Sequence, residues 1–418
     1  MSSVGHYRRG TCRLCGGNRL TEVLSLRPTP PANAFVPERE LSAEQDVYPL
    51  DVYFCEDCTH VQLLDVVDPK VLFGNYVYVS GTSPVFIQHF KSYAEAIVSA
   101  YAPVPDGALA LDIGSNDGTL LKQFRDLGMN VLGVDPARDI SVAATAAGID
   151  TLAAFFSRDL AGEIRAKHGL AKVVTANNVF AHADDLSDIT LGVCELLSPD
   201  GVFVFEVSYL VDVFEGTLFD TIYHEHLAYH TVRPLQQFFD RHGLELIKAE
   251  RVASHGGSLR GVVQHKDGPY EVDASVFACV VHEAEIGLHE AASLQQFGEQ
   301  ICSIGMELMA LLNSIKASGK RIAGFGAPAK ATTLMYQFDM GPDMIDFIVD
   351  DSPLKQKLFS PGMHIPVLPS EALYSKRPDA VVVLAWNFAE SIIEKHAAFV
   401  EQGGQFIVPL PTVRIVGP

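Results

Sequence analysis

The chain has 418 residues, 48% of them hydrophobic, and a formal net charge of −20 at pH 7. That length and apolar content suit two or three domains with buried cores. The charge argues against a nucleic-acid binder, whose affinity comes from neutralised phosphates, so an anionic ligand needs a local pocket of donors.

The N-terminal stretch MSSVGHYRRG has two arginines with no apolar run behind them, and no segment reaches the roughly 18 apolar residues of a membrane span. A cytoplasmic protein without membrane contact is expected. Seven cysteines are an odd number for a disulfide framework, and four of them form the pairs CRLC (Cys12, Cys15) and CEDC (Cys55, Cys58). Two such knuckles present the four thiolates that tetrahedral zinc requires, with no position left open for catalysis, so the metal is expected to be structural. The residues between the pairs, including the Pro-rich LRPTPPANAF, form an inserted lobe.

A helical stretch, FIQHFKSYAEAIVSAY, leads into an alternation of elements. ALALDIGS reads as a strand, TLLKQFRDLG as a helix, NVLGVD as a strand, ISVAATAAG as a helix, AKVVTANN as a strand and GVFVFEV as a strand after the turn LSPDG. Such alternation predicts a doubly wound parallel sheet. The pattern returns in RIAGFGAPAKATTLMYQF, IDFIVDD and DAVVVLAW, followed by the helix FAESIIEKHAAFVEQG, with a long helical connector before them at 288–319. The expected architecture is α/β: a zinc-binding lobe over 1–75, a Rossmann-like domain over 76–250 and a second Rossmann-like α/β domain over 251–418.

Two segments carry the chemistry. In LDIGSNDGTLL, Gly114 and Gly118 let backbone approach a ligand, and Asp135 ends the next strand, where it can take two ribose hydroxyls. Both NAD and S-adenosylmethionine fit so far. A pyrophosphate requires Gly-x-Gly-x-x-Gly, whereas this turn carries Ser115, Asn116 and Asp117; the acid repels a pyrophosphate and tolerates a sulfonium, which favours S-adenosylmethionine. The second segment, FDTIYHEHLAYHT over 219–231, places Glu225 beside His226 and reads as an acid/base device. It is not a His-Glu-x-x-His zinc site, because Ala228 stands where the second histidine would be. His224 and His230 are read as structural.

Taken with the two cysteine pairs, the segments DIGSNDG, ANNVFAH, IYHEH, SHGGSLR, GFGAPAK and AWN make the whole chain similar to the C-methyltransferases that act on nucleotide-linked ketosugars. The resemblance implies methylation of the carbon beside a ketone, C3 of a dTDP- or GDP-linked 4-keto-deoxysugar, through a base-generated enolate, in branched-chain sugar biosynthesis. It implies that His226 is the base and Glu225 its partner or a second proton carrier. Tyr223 and one of Tyr76 and Tyr78 would donate to the ketone oxygen, and His182 would reach the same cavity. S-adenosylmethionine would be held by Asp112, Gly114, Asn116, Asp117, Gly118, Asp135, Pro136, Phe155, Phe156, Asn177 and Asn178. The nucleotide diphosphate and sugar would meet Gly324, Gly326, Ala327, Lys330, Asp350, Lys355, Trp386 and Asn387, with His255, Gly256 and Arg260 in the link between the two α/β domains. Methylation at oxygen or nitrogen of a nucleotide sugar, a nucleotide-sugar oxidoreductase with two dinucleotide sites, and a zinc-ribbon adaptor are the rival readings.

Overall fold

The computed structural model describes residues 5–73, 84–104 and 106–418, so the expected tyrosine donors Tyr76 and Tyr78 lie outside the described residues. Three larger sheets organise the chain. The central one has seven strands: Leu109–Ile113, Asn130–Val134, Thr151–Leu152, Ala171–Asn177, Leu197–Ser208, Leu244–Val252 and Ser258–His265. Numbered in that order they lie side by side as 3-2-1-4-5-7-6, all parallel except the seventh, which runs antiparallel to both neighbours. Every residue of Leu109–Ile113 is buried, as expected of a parallel strand covered on both faces. Helices cover them: Thr119–Asp126 turns Leu120, Leu121 and Phe124 inward, while Arg158–His168 and Leu186–Leu196 are capped by the side chains of Ser157 and Asp185.

The central sheet continues past residue 250. Ser254–Gly256 is a short helical turn in a hairpin between the sixth and seventh strands, so SHGGSLR closes this sheet and does not bridge two domains. The long helix Ala291–Ala317 then buries Leu294, Phe297, Ile301, Leu308 and Leu312, and leads to a six-stranded sheet. Its strands Val367–Leu368, Ile348–Val349, Ile322–Phe325, Ala380–Val383 and Gln405–Val408 are parallel in that lateral order, and Arg414–Val416 closes the edge antiparallel.

The N-terminal lobe is an antiparallel sheet of Leu20–Thr29, Tyr48–Cys55, Val61–Leu63 and Ala228–Tyr229. Its fourth strand comes from the His-rich segment, which is thereby fastened to the lobe that holds the cysteines. The loop between the cysteine pairs reaches the other way, where Val36–Pro37 pairs with Leu358–Phe359 of the C-terminal domain. Segments 219–231 and 28–45 therefore sit where all three parts of the chain meet. Among the described residues no helix is long and apolar enough to cross a membrane.

Candidate active site

The four cysteines come together as their spacing predicts. Their sulfur atoms lie within 4.8 Å of one another, with Cys12 to Cys58 at 3.6 Å and Cys15 to Cys55 at 3.5 Å. Zinc–sulfur bonds of about 2.3 Å in a tetrahedron put sulfurs roughly 3.8 Å apart, so the cluster fits the metal. Each pair sits on a turn closed by its own backbone, Gly16 N–H to the Cys12 carbonyl at 2.9 Å and Thr59 N–H to the Cys55 carbonyl at 2.8 Å. The buried Arg13 guanidinium, between the first two cysteines, donates to the Leu63 carbonyl, to Gln62 at 3.1 Å and to Asp184 at 2.9 Å.

A cavity of about 350 Å³ opens at the carboxyl ends of the first and fourth central strands, where the strand order reverses. Asp112, Gly114, Asn116, Asp117, Asp135, Pro136, Phe155, Phe156, Asn177 and Asn178 line it, together with His182. Gly114 has φ 71°, and a Cβ there would lie 2.2 Å from Val179, so the turn admits only glycine if the Asn177–Val179 segment is to pass so close. Gly118 does not line the cavity; it starts helix Thr119–Asp126 at φ 76° and packs on Ile149. Asp135 accepts from the Asn116 and Ala137 N–H groups at 2.9 and 2.8 Å, which leaves further lone pairs for ribose hydroxyls. Burial pushes the Asp112 carboxyl up to about 7, although Thr175 donates to it at 2.6 Å. Ser115 Oγ and Asn177 Oδ1 are buried without a partner among the described residues, two polar atoms that a polar ligand in the cavity would satisfy.

Residues 219–231 lie against the cavity's rim. The Leu227 and Ala228 N–H groups donate to the Ala181 carbonyl at 2.9 and 3.1 Å, which brings the His226 ring to 5.0 Å from His182, and the Tyr223 ring stands 4.2 Å from His226. His226 Nδ1 donates to the Thr221 carbonyl at 2.7 Å. A carbonyl can only accept, so the proton of the neutral ring sits on Nδ1 and Nε2 carries the lone pair. The Thr221 carbonyl thus sets this tautomer, which is one of the two roles the resemblance offers Glu225, the other being a second proton carrier. Glu225 instead accepts from Asn33 Nδ2 at 2.8 Å. His224 donates to the Tyr48 carbonyl at 3.2 Å and His230 to the Phe180 carbonyl at 3.4 Å; burial pushes both down to about 4, which keeps them neutral.

Burial pushes the Glu225 carboxyl from 4.5 up to about 7, partly opposed by the Asn33 hydrogen bond. Between those values the native protein keeps a proton that the unfolded chain has released, so the stability Glu225 contributes falls as pH rises through that window. Glu225→Gln is therefore expected to raise the melting temperature more at pH 8 than at pH 5. Paired thermal melts check this, and an equal change at both values would contradict the buried, proton-bearing carboxyl.

The C-terminal glycine turn has partners of its own. Gly326 has φ 88°, and a Cβ would strike Ala385 at 2.4 Å. The following N–H, from Ala327, donates to Asp350 at 2.6 Å, and Lys355 Nζ donates to the Ala327 carbonyl at 2.6 Å. Gly324 is buried in the strand before this turn. Lys330 Nζ lies 3.6 Å from Asp220 and 4.3 Å from the Trp386 ring centroid, and Trp386 Nε1 donates to Asp220 at 2.7 Å. Arg260 faces Glu206 across the antiparallel pair, donates to it at 2.6 Å and stacks its guanidinium 4.3 Å from the Tyr93 ring. The cations expected to meet a diphosphate are in this structure engaged with the protein's own acids, carbonyls and rings. The His255 side chain lies outside the described residues, and Gly256 ends the hairpin turn at φ 92°. Asn387 and Trp386, with Phe388 and Arg414, line a second cavity of about 460 Å³ beyond the carboxyl ends of Ala380–Val383 and Gln405–Val408.

No sequence pattern singles out Asn33, Asp220 or the Thr221 carbonyl. Asn33 lies in a Pro-rich loop whose sequence gives no sign of the residue it meets 192 positions later. Asp220 lies within the His-rich stretch, but its partners stand in another domain.

Three family models match the chain: "Putative zinc binding domain" over residues 12–73, "Methyltransferase domain" over 86–249 and "C-methyltransferase C-terminal domain" over 253–411. The chain is 35% identical over 405 residues to the C-methyltransferase NovU of Streptomyces niveus, covering 97% of this chain and 96% of that protein. Among solved structures, magnesium protoporphyrin IX methyltransferase from Synechocystis aligns at 16% identity over 43% of this chain and 83% of that one, with a TM-score of 0.34. The CcbJ methyltransferase of Streptomyces caelestis aligns at 15% identity over 46% and 94%, with a TM-score of 0.35. At such scores the two structural likenesses carry no argument.

Proposed function

Because this chain belongs to the C-methyltransferase family, with S-adenosylmethionine as methyl donor and a zinc-binding N-terminal lobe, we propose that it methylates the carbon beside the ketone of a dTDP- or GDP-linked 4-keto-deoxysugar, C3, in branched-chain sugar biosynthesis. The family replaces the oxidoreductase and adaptor readings. The observation that carries the proposal is the fixed tautomer of His226 at the rim of the cavity, next to His182.

S-adenosylmethionine, when bound, supplies an electrophilic methyl group. The residues lining the first cavity are those that would hold it, and the unpartnered Ser115 and Asn177 oxygens support a polar ligand there. The remaining work is done on the sugar by the protein's own groups. His226 Nε2 takes the proton from the carbon beside the ketone, and the Thr221 carbonyl stabilises the imidazolium that forms. The electron pair moves onto the ketone oxygen, where Tyr223, and Tyr76 or Tyr78 from outside the described residues, donate hydrogen bonds. Glu225, pushed up to about 7, adds no full negative charge beside an enolate at neutral pH. His182, on the cavity side of His226, orients the sugar between base and methyl donor. The second cavity suits the nucleotide, with Phe388 as a stacking surface and Asn387 as a donor and acceptor.

The test is incubation with S-adenosylmethionine and a panel of dTDP- and GDP-linked 4-keto-6-deoxysugars, with the product mass and the methyl position read by NMR. A methyl on carbon beside the ketone is expected for at least one sugar. A methyl on oxygen or nitrogen, or no transfer to any ketosugar while another acceptor is methylated, would overturn the substrate assignment.

A further inference from the structure

Asp220, in the turn Phe219–Thr221, is fully buried and lines neither cavity. Its carboxylate is held by two residues of the C-terminal domain, Trp386 Nε1 at 2.7 Å and Lys330 Nζ at 3.6 Å, and the ammonium rests on the Trp386 ring. Two more contacts reach the same turn from the helix Lys330–Gln337 and its end. Thr333 Oγ1 donates to the Ile222 carbonyl at 2.8 Å, and the Phe338 ring packs on Phe219 at 5.3 Å. Within this anchored turn stands Thr221, whose carbonyl accepts the hydrogen bond from His226 Nδ1. Burial pushes the Asp220 carboxyl up and the Lys330 ammonium down, so the pair adds little stability of its own. What the four contacts supply is a fixed place for the turn.

We propose that Asp220, Lys330 and Trp386 are positioning residues: through them the C-terminal domain holds the Thr221 carbonyl on His226 Nδ1 and so fixes the tautomer and basicity of the imidazole. The inference rests on His226 being the base. None of the three needs to touch the reacting atoms. A hydrogen bond from Nδ1 to a carbonyl strengthens when the ring becomes charged, so it makes Nε2 more basic. A turn released from the C-terminal domain would leave the ring free to change tautomer and would weaken it as a base.

The variant that tests this is Asp220→Asn, which keeps the size of the side chain and removes the charge facing Lys330. The expected result is a kcat lower by ~10- to 100-fold, the scale of losing alignment at a reacting centre. The acid limb of the kcat profile should move to lower pH, and the S-adenosylmethionine KM and the zinc content should stay unchanged. Thr333→Val, which removes only the hydroxyl that holds Ile222, should shift the limb the same way by less, and it decides the matter if Asp220→Asn does not fold. A higher sugar KM with kcat and the acid limb unchanged would overturn the proposal, because the cluster would then be a substrate-binding group. His226→Asn measured in parallel separates the two readings. If that variant turns over normally, the base assignment itself has failed. If it is inactive while Asp220→Asn and Thr333→Val keep the parent kcat and pH limb, only the positioning role has failed.

Discussion

Replacing His226 with asparagine is expected to lower kcat ~100-fold or more while S-adenosylmethionine still binds as in the parent protein. Loss of a positioned general base removes ~100- to 10,000-fold in rate, or roughly 3 to 5 kcal/mol of transition-state stabilisation. Asparagine can still donate to the Thr221 carbonyl, so it retains the anchor seen at 2.7 Å and lacks only a proton acceptor at the position of Nε2. The first cavity is lined by His182 and not by His226, so a cofactor held there should still bind when turnover is lost. Single-turnover kinetics together with calorimetric titration of S-adenosylmethionine check both halves. Near-normal turnover would remove His226 from the base role, and lost cofactor affinity would mean that the substitution disturbed the cavity wall.

Cys55→Ser is expected to lose zinc and soluble protein together. Cys55 is completely buried at the end of strand Tyr48–Cys55, and its sulfur lies 3.5 Å from that of Cys15. Structural zinc contributes about 10 to 16 kcal/mol of apparent binding free energy in small zinc domains, against about 5 to 15 kcal/mol for the stability of a whole native protein. Losing one of four thiolates therefore removes an amount comparable with the entire margin. The damage should not stay local, since the same sheet includes Ala228–Tyr229 and Arg13 ties the first knuckle to Asp184. Metal content and soluble yield are the readouts. A soluble, zinc-free and fully active variant would contradict a structural metal.

Much of the central sheet was legible because its chemistry is local. A run such as Leu109–Ile113, closed by a glycine turn and followed by an amphipathic helix, carries its assignment within about a dozen residues. The last two central strands were not assigned to it, since Leu244–Val252 and Ser258–His265 join the sheet only through antiparallel pairing at its edge, and the hairpin between them resembles a linker in sequence. The four cysteines were legible because a metal imposes a fixed ligand count and spacing.

The candidate segment 219–231 was legible in part. Its histidines and acids point to acid/base chemistry, but which residue pairs with which depends on contacts from other domains. Glu225 met Asn33, a residue from the zinc lobe, and His226 met a main-chain carbonyl, a kind of partner that side-chain patterns never announce. Lys330 shows the same effect from the other side. A lysine after a glycine turn suggests a phosphate, yet Asp220 and Trp386 reach it from elsewhere in the fold.

The central claim is that His226 removes a carbon-bound proton from the ketosugar. Its most direct measurement is hydrogen exchange: the accepted ketosugar incubated in heavy water with the protein and S-adenosylhomocysteine, so that no methyl is transferred, and followed by mass spectrometry. The account predicts uptake of one deuterium at the carbon beside the ketone with the parent protein and none above background with His226→Asn. Equal uptake by both proteins, or methyl transfer by a parent protein that exchanges no hydrogen, would contradict it.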